Sequence, residues 1–309
     1  MGVGLRYELI QSVQAKSSNT LAIKELCHLA KVSRSGYYRW INTMDARNMR
    51  EQKDRADFNL IMEAYEFKGY DKGSRGIHMR LLHMGIRMNR KKIQRLMRKF
   101  ELFCPIRKSN PYRRMAKALR TNAVSDNLVK REFREHGPRK ILLTDITYIP
   151  YCGKFCYLSV IKDAHTTQAL SYVLSQSLAV DFVLETVEQL IAVHGITLDA
   201  EAMIHSDQGC HYTSIKFREL VQNYGLRQSM SRRGNCWDNA PQESFFGHMK
   251  SELSRKKSEW TCFEDVKADI DDWMEYYNND RYQWNLEKLS PNEYYTYITT
   301  GKMPTLMAV

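Results

Sequence analysis

The sequence predicts a multidomain chain in which all-α helix-turn-helix modules precede an α/β core on a mixed five-stranded sheet. Three observations carry that expectation. Charge is split along the chain: residues 1–140 hold 32 Lys and Arg against 13 Asp and Glu, and residues 141–309 hold 15 against 22. The basic half reads in helical period with polar breaks, whereas after Arg139 the pattern changes to apolar strands and then to a strand–helix alternation. The 309 residues, 43% of them hydrophobic and 27% charged, suit two or three globular domains and exclude disordered, collagen-like and fibrous classes. No stretch approaches the ~20 apolar residues of a membrane span, and the opening MGVGLRYELIQ lacks the apolar run of a signal peptide. A soluble cytoplasmic protein is therefore expected. Seven scattered cysteines form no disulfide framework, and no His pair is spaced to meet a CxxC as a zinc site would be. Reduced, mostly buried thiols are expected.

Residues 1–55 are read as a first helix-turn-helix module. In TLAIKELCHLAKVSRSGYYRWIN, Leu21, Leu26 and Leu29 are placed inward, Lys31 to Ser33 form a break, and Ser33 or Ser35 caps a short second helix. In the DNA-reading form of this motif the second helix presents Arg34, Ser35 and Arg39 to the major groove. Two short helices also pack together in proteins that never meet DNA. Residues 56–104 repeat the idea: LIMEAYEF, then Ser74 capping GIHMRLLHMG, then Asn89 capping RKKIQRLMRKF. Ile93, Leu96 and Met97 make the apolar stripe of the last helix, and Arg90, Lys91, Lys92, Arg95, Arg98 and Lys99 surround it. From Lys72 to Arg120 there are sixteen basic residues and one acid, Glu101, a density suited to nucleic acid phosphates and leaving little scope for internal pairing. A solvated basic face is the plainer alternative. Residues 105–138 read as a basic linker.

Residues 139–260 are read as the α/β core. ILLTDITYIP, a turn at Cys152 to Lys154, KFCYLSVIKDA and QALSYVLS form an antiparallel meander. AVDFVLETVEQLIAVHG follows, a helix with Val180, Val183, Leu184, Val187, Leu190 and Ile191 on one face and a stop at Gly195. Then come the strand AMIHSD, a helix from Thr213 to Asn223, a strand around LRQSMS, and a long helix opening near Asp238 to Pro241. Residues 261–309 are read as one helix and an extended tail.

Three acids come from separate elements of that core. Asp145 lies in an apolar strand, where a charge is costly unless paired or metal-bound. Asp207 ends the next buried strand, and Glu243 opens the late helix. Acids on one sheet edge suit Mg²⁺, which takes carboxylate, water and phosphate oxygens. Two such ions about 3.5–4 Å apart serve in-line phosphoryl transfer. Each acid alone also fits a structural role: a strand-end turn, an Asx turn before Gly209, a helix-start acid favoured by the dipole. At 100° per residue, position 250 returns to within about 20° of position 243, so Lys250 shares the Glu243 face while Phe245, Met249 and Leu253 turn inward. A lysine there can grip DNA, or simply be solvated. Arg232 and Arg233, in the preceding glycine-bearing loop, are further DNA-contact candidates. His205 is expected to pack or hydrogen-bond beside the site.

TDITYI around Asp145, HSDQGCHYTS around Asp207, SMSRRGNCWDNAPQESFFGHMKSEL around Glu243, 35 residues between the last two acids, and the tail YNNDRYQWNLEKLSPNEY together resemble one family. It is that of bacterial insertion-sequence DDE transposases, the second-frame product of the insertion sequence 3 family, with a retroviral-integrase-like core. The resemblance covers nearly the whole chain. It implies a ribonuclease-H-like fold in which Asp145, Asp207 and Glu243 are catalytic and hold two Mg²⁺ ions, with Mn²⁺ able to substitute. It also implies double-stranded DNA partners (terminal inverted repeats and target DNA), a homodimer or higher oligomer on DNA, an upstream-frame product or frameshift fusion, and nucleoid association. Leu143 stands where members often carry an aromatic, and Gln283 where a His is common. Two other readings use part of the same sequence. A non-catalytic DNA-binding regulator needs only the helical modules, and a plain ribonuclease-H-type nuclease uses the triad but stops at hydrolysis.

Overall fold

The computed structural model describes residues 2–70, 72–105, 136–231 and 240–304. Most of the basic linker, together with Arg232 and Arg233, lies outside the described residues. The chain forms two compact units, Met1–Met62 and Glu63–Val309.

The first unit is helical. α1 (Val3–Gln14), α2 (Ile23–Leu29) and α3 (Arg34–Asn42) close on a core of Ile10, Leu26, Cys27 and Tyr37, and α4 (Met44–Glu66) follows, its residues beyond Met62 belonging to the second unit. The break between α2 and α3 forms as expected: Lys31 adopts a positive φ of 52°, and the Ser33 side chain accepts the Gly36 N–H at 3.1 Å. The inward face is not the expected one. Leu29 is 68% exposed and Leu21, ahead of the helix, is exposed as well, because Ile23, Leu26, Cys27 and Ala30 cluster within about a third of a helical turn and Leu29 lies outside that arc. α1 had no counterpart in the periodicity argument.

The second unit opens with α5 (Ser74–His83) and α6 (Arg90–Lys99), joined through buried Ile77, Leu81, Ile93 and Leu96. Asn89 caps α6 by accepting the Lys91 N–H at 2.8 Å; Ser74 does not cap α5, since Gly73 occupies the cap position. The sheet follows: β1 (Ile141–Tyr151), β2 (Lys154–Asp163), β3 (Ala169–Ser175), then α7 (Asp181–His194), β4 (Met203–Ser206), α8 (Ile215–Asn223), β5 (Arg227–Met230), α9 (Ala240–Glu252), α10 (Phe263–Asn279) and α11 (Pro291–Thr300). The order is β3-β2-β1-β4-β5, with the first three strands antiparallel and β4 and β5 parallel to β1. The β1–β2 hairpin turns on Cys152 and Gly153, both at positive φ, which matches the strands' twist.

One sheet face packs Leu142, Ile161, Leu170, Val173 and Ile204 under α7 and α8. Gly195 does not stop α7 in a left-handed cap: its φ is −50°, and the chain runs on through a tight turn, Gly195–Thr197. The other face packs Ile149, Cys156, Leu158 and Val160 under α9 and α10, with Phe245, Trp273 and Tyr277 meeting edge to face and stacked. The segment expected to be one helix and a tail is two helices, and the first supplies much of this core. Thiols are less buried than expected: Cys152, Cys210 and Cys262 are exposed. Among the described residues no helix is long and apolar enough to cross a membrane.

Candidate active site

β1 and β4 run parallel with Leu143 opposite His205. Asp145 stands two residues further along β1 and Asp207 follows the last residue of β4, so both carboxylates lie just beyond the end of that ladder. Buried Tyr212 reports the pair. Its hydroxyl lies 3.4 Å from Thr144 Oγ1, and burial, with the Asp145 and Asp207 charges adding, pushes its pKa well above the usual 10. Tyr212 was quoted in HSDQGCHYTS but carried no signal separating it from an ordinary core tyrosine. Asp207 is exposed and accepts the Gly209 N–H at 2.8 Å; a Cβ on Gly209 would stand 2.9 Å from that same Oδ1, so a side chain there would push the carboxylate aside. His205 is fully buried, its Nδ1 2.9 Å from Ser229 Oγ.

α9 is pinned to the same strand. The buried Gln242 amide donates to the carbonyls of Leu143 at 2.8 Å and Val160 at 3.2 Å, and Lys162 Nζ donates to Pro241 O at 2.9 Å. These bonds fix the start of the helix over the β1–β2 pair and leave Glu243, the next residue, exposed. Neither Gln242 nor Lys162 was singled out from sequence. For Lys162 the signal was present, since a charge inside an apolar strand is the argument that selected Asp145. Lys250, two turns on, is half-buried; burial and Lys257 lower its pKa, and the Asp145 carboxylate acts in the opposite direction, so the lysine lies within electrostatic reach of the site.

Among the described residues no three Asp, Glu, His or Cys side chains gather closely enough to hold an ion. The arrangement is a carboxylate pair at the sheet edge with a third acid on the adjoining helix. Such hard oxygen donors fit Mg²⁺, which is ordinarily held by one or two carboxylates and completed by water and substrate phosphate.

The candidate DNA contacts divide. Arg34 and Arg39 on α3, and Lys91, Arg95 and Arg98 on α6, are exposed; Arg90 and Lys92 are half-exposed. The basic run is not free of internal pairing. Lys72 is buried, donating to the carbonyls of Tyr65, Phe67 and Tyr70, and Arg80 reaches Tyr282 Oη at 3.1 Å and Asp280 at 3.5 Å while lying over the Phe67 ring. Their partners are backbone oxygens and residues some 200 positions away, invisible to a count of acids within the run.

Three antiparallel strands continued by two parallel ones, with Asp145 on the central strand and Asp207 just after its parallel neighbour, form a ribonuclease-H-like core. Family models agree: residues 135–236 and 224–291 match integrase core domains, and residues 51–110 match an HTH-like domain. The chain is 34% identical to a transposase-like protein of Haemophilus influenzae over 68% of this chain and 94% of that one. It is 30% identical to a putative transposase of insertion element IS150 from Escherichia coli, over 88% and 93%. The chain belongs to the integrase-core transposases of the insertion sequence 3 family. Of solved structures, a simian T-cell lymphotropic virus intasome is similar at a TM-score of 0.47 and 15% identity, over 75% of this chain and 74% of the other; the fold assignment rests on the strand order and register.

Proposed function

We propose that the chain binds the terminal inverted repeats of its insertion sequence and catalyses Mg²⁺-dependent DNA strand cleavage and 3′-hydroxyl strand transfer. The observation that carries this reading is that Asp145 and Asp207 both lie just past the end of the β1–β4 ladder, with both charges reaching buried Tyr212, while Glu243 is exposed on a helix whose start is bonded to β1 and β2. Asp145, Asp207 and Glu243 are the residues that would hold the ions. Bound there, two Mg²⁺ or Mn²⁺ ions supply charge stabilisation to the attacking and leaving oxygens of an in-line displacement. Thr144 and Tyr212 support the β1 side of the pair, and Gln242 and Lys162 hold the start of the Glu243 helix against the sheet, so closing the three carboxylates on the ions needs side-chain movement rather than movement of the elements. Lys250 holds the scissile strand by a phosphate contact. Water attacks a phosphodiester at the element end, and the freed 3′-hydroxyl attacks a second one, with no covalent link to the protein.

The functional divisions follow: residues 1–55 and 56–104 as DNA-reading modules, 105–138 as a basic linker, 139–260 as the catalytic core and 261–309 as its C-terminal support. Arg34, Arg39, Arg90, Lys91, Lys92, Arg95, Arg98, Arg232 and Arg233 are the DNA contacts of this scheme. Assembly as a dimer or higher oligomer on DNA, partnership with an upstream-frame product and association with the nucleoid complete it.

The test is a joining assay with 3′-labelled element-end DNA in Mg²⁺. Joined products are expected from wild type. Asp145→Asn, Asp207→Asn and Glu243→Gln should each reduce cleavage and joining to background while retaining end binding. Lys250→Ala should lose activity that low salt or excess DNA restores. Binding without any cleavage would leave a DNA-binding regulator, cleavage without joining would leave a nuclease, and joining by Asp145→Asn would refute the carboxylate assignment.

A further inference from the structure

The loop between α10 and α11 turns an indole outward. Leu286 and Leu289 are buried, and Gln283 N–H donates to Leu289 O at 2.9 Å while Lys288 N–H donates back to Gln283 O at 3.1 Å. Loop packing is therefore satisfied without Trp284, which remains 47% exposed. Three cations from three elements surround its ring: Arg75 of α5 and Arg90 of α6 at 5.9 Å, and Lys288 of the loop at 5.6 Å, with the His78 ring at 6.3 Å. Among the described residues none of the three cations has an acidic partner.

Like charges converging on one ring repel. Arg75 and Arg90 also stand in the first turns of α5 and α6, which contain no acid, so both oppose their helix dipoles. Each cation is attracted to the ring face but repelled by the other two, and an anion placed among them relieves that repulsion. A large exposed aromatic ring beside unpaired cations matches a nucleotide, whose base stacks and whose flanking phosphates take the charges. Bases inside a duplex are already stacked, so the ring fits one that is unpaired.

We infer that Trp284, with Arg75, Arg90 and Lys288, forms a stacking site for an unpaired DNA nucleotide, so that the C-terminal loop completes the DNA surface of the second helical module. This rests on the proposed DNA transposase function, and it adds Trp284 and Lys288, which lie outside both the acid site and the helical modules, to the DNA surface that Arg90 belongs to.

The test uses the full chain and fluorescein-labelled mixed-sequence DNA of about 30 base pairs, either blunt or carrying a 3′ overhang of about five nucleotides, followed by anisotropy across a salt series. Wild type should bind the overhang probe more tightly. Trp284→Ala should weaken overhang binding by about tenfold and blunt binding little, at unchanged melting temperature, while Trp284→Phe retains most of the preference. Arg75→Gln combined with Lys288→Gln should weaken both probes and flatten the salt dependence by about two phosphates' worth of slope. Trp284→Ala binding both probes like wild type would overturn the site and leave the transposase reading intact. Wild type binding neither probe would overturn both.

Discussion

The two faces of the central sheet are built differently. Under α7 and α8 the contacts are apolar, and the polar groups present, such as Thr186 donating to Phe182 O and Ser171 donating to Thr186 O, bond to nearby carbonyls. Under α9 and α10 the packing is threaded with polar struts. Arg281 pairs with Glu252 at 2.9 Å, Trp273 Nε1 donates to the same carboxylate at 2.9 Å, and Gln242 and Lys162 tie the start of α9 to β1 and β2. Apolar contacts fill volume without specifying a position to within a fraction of an ångström, whereas directional bonds do. The face that must place Glu243 is the one carrying them.

That contrast can be broken experimentally. The largest effect is expected from Arg281→Met, which strands the buried Glu252 carboxylate and should cost about 3–5 kcal/mol in denaturant unfolding, with strand transfer per folded molecule also falling as α9 shifts. Leu190→Ala on the opposite face should cost about 2–5 kcal/mol and leave strand transfer per folded molecule near wild type. If both variants lose activity in proportion to stability alone, the two faces are equivalent and the contrast fails. Gln242→Met sharpens it: two strand carbonyls lose their donor, for about 1–3 kcal/mol, and activity should fall further than stability accounts for. Equal activity per folded Gln242→Met molecule would show that Glu243 is positioned by packing.

The smallest effect lies at the start of α10. Asp265 accepts the Thr261 hydroxyl and the backbone N–H groups of Thr261 and Cys262, which draw its pKa down to about 2 from the ordinary 3.8. A depressed carboxylate contributes stability that is fully present above its unfolded value and lost as pH falls through its folded one. Asp265→Asn should therefore melt slightly below wild type at neutral pH, and the two melting temperatures should converge as pH falls from about 4 to about 2. A gap independent of pH across that window would remove the charge from the explanation.

How much was legible varies by element. All five strands and the helices between them were readable, because alternation and helical period record burial directly. α11 is legible in the sequence as well: Ser290, Pro291 and Glu293 spell a capping box with proline in the first turn, and the structure shows both of its bonds. Lys72 and Arg80 could not be read correctly, since a basic run looks the same whether its charges face solvent or fold back onto carbonyls and Asp280.

The sequence by itself determined the division into a basic helical half and an acidic α/β half and the strand and helix succession of the core, since each follows from local pattern and spacing; it offered Asp145, Asp207 and Glu243 as candidates through a family resemblance. Tertiary structure alone decided that the Asp145 and Asp207 charges both reach Tyr212, that Gln242 and Lys162 bond the start of the helix bearing Glu243 to the sheet, that α10 completes the core, and that Arg75, Arg90 and Lys288 meet at Trp284. Those facts depend on strand order and on contacts between residues far apart in the chain. Period and spacing record which side of an element is buried, but not which distant element buries it.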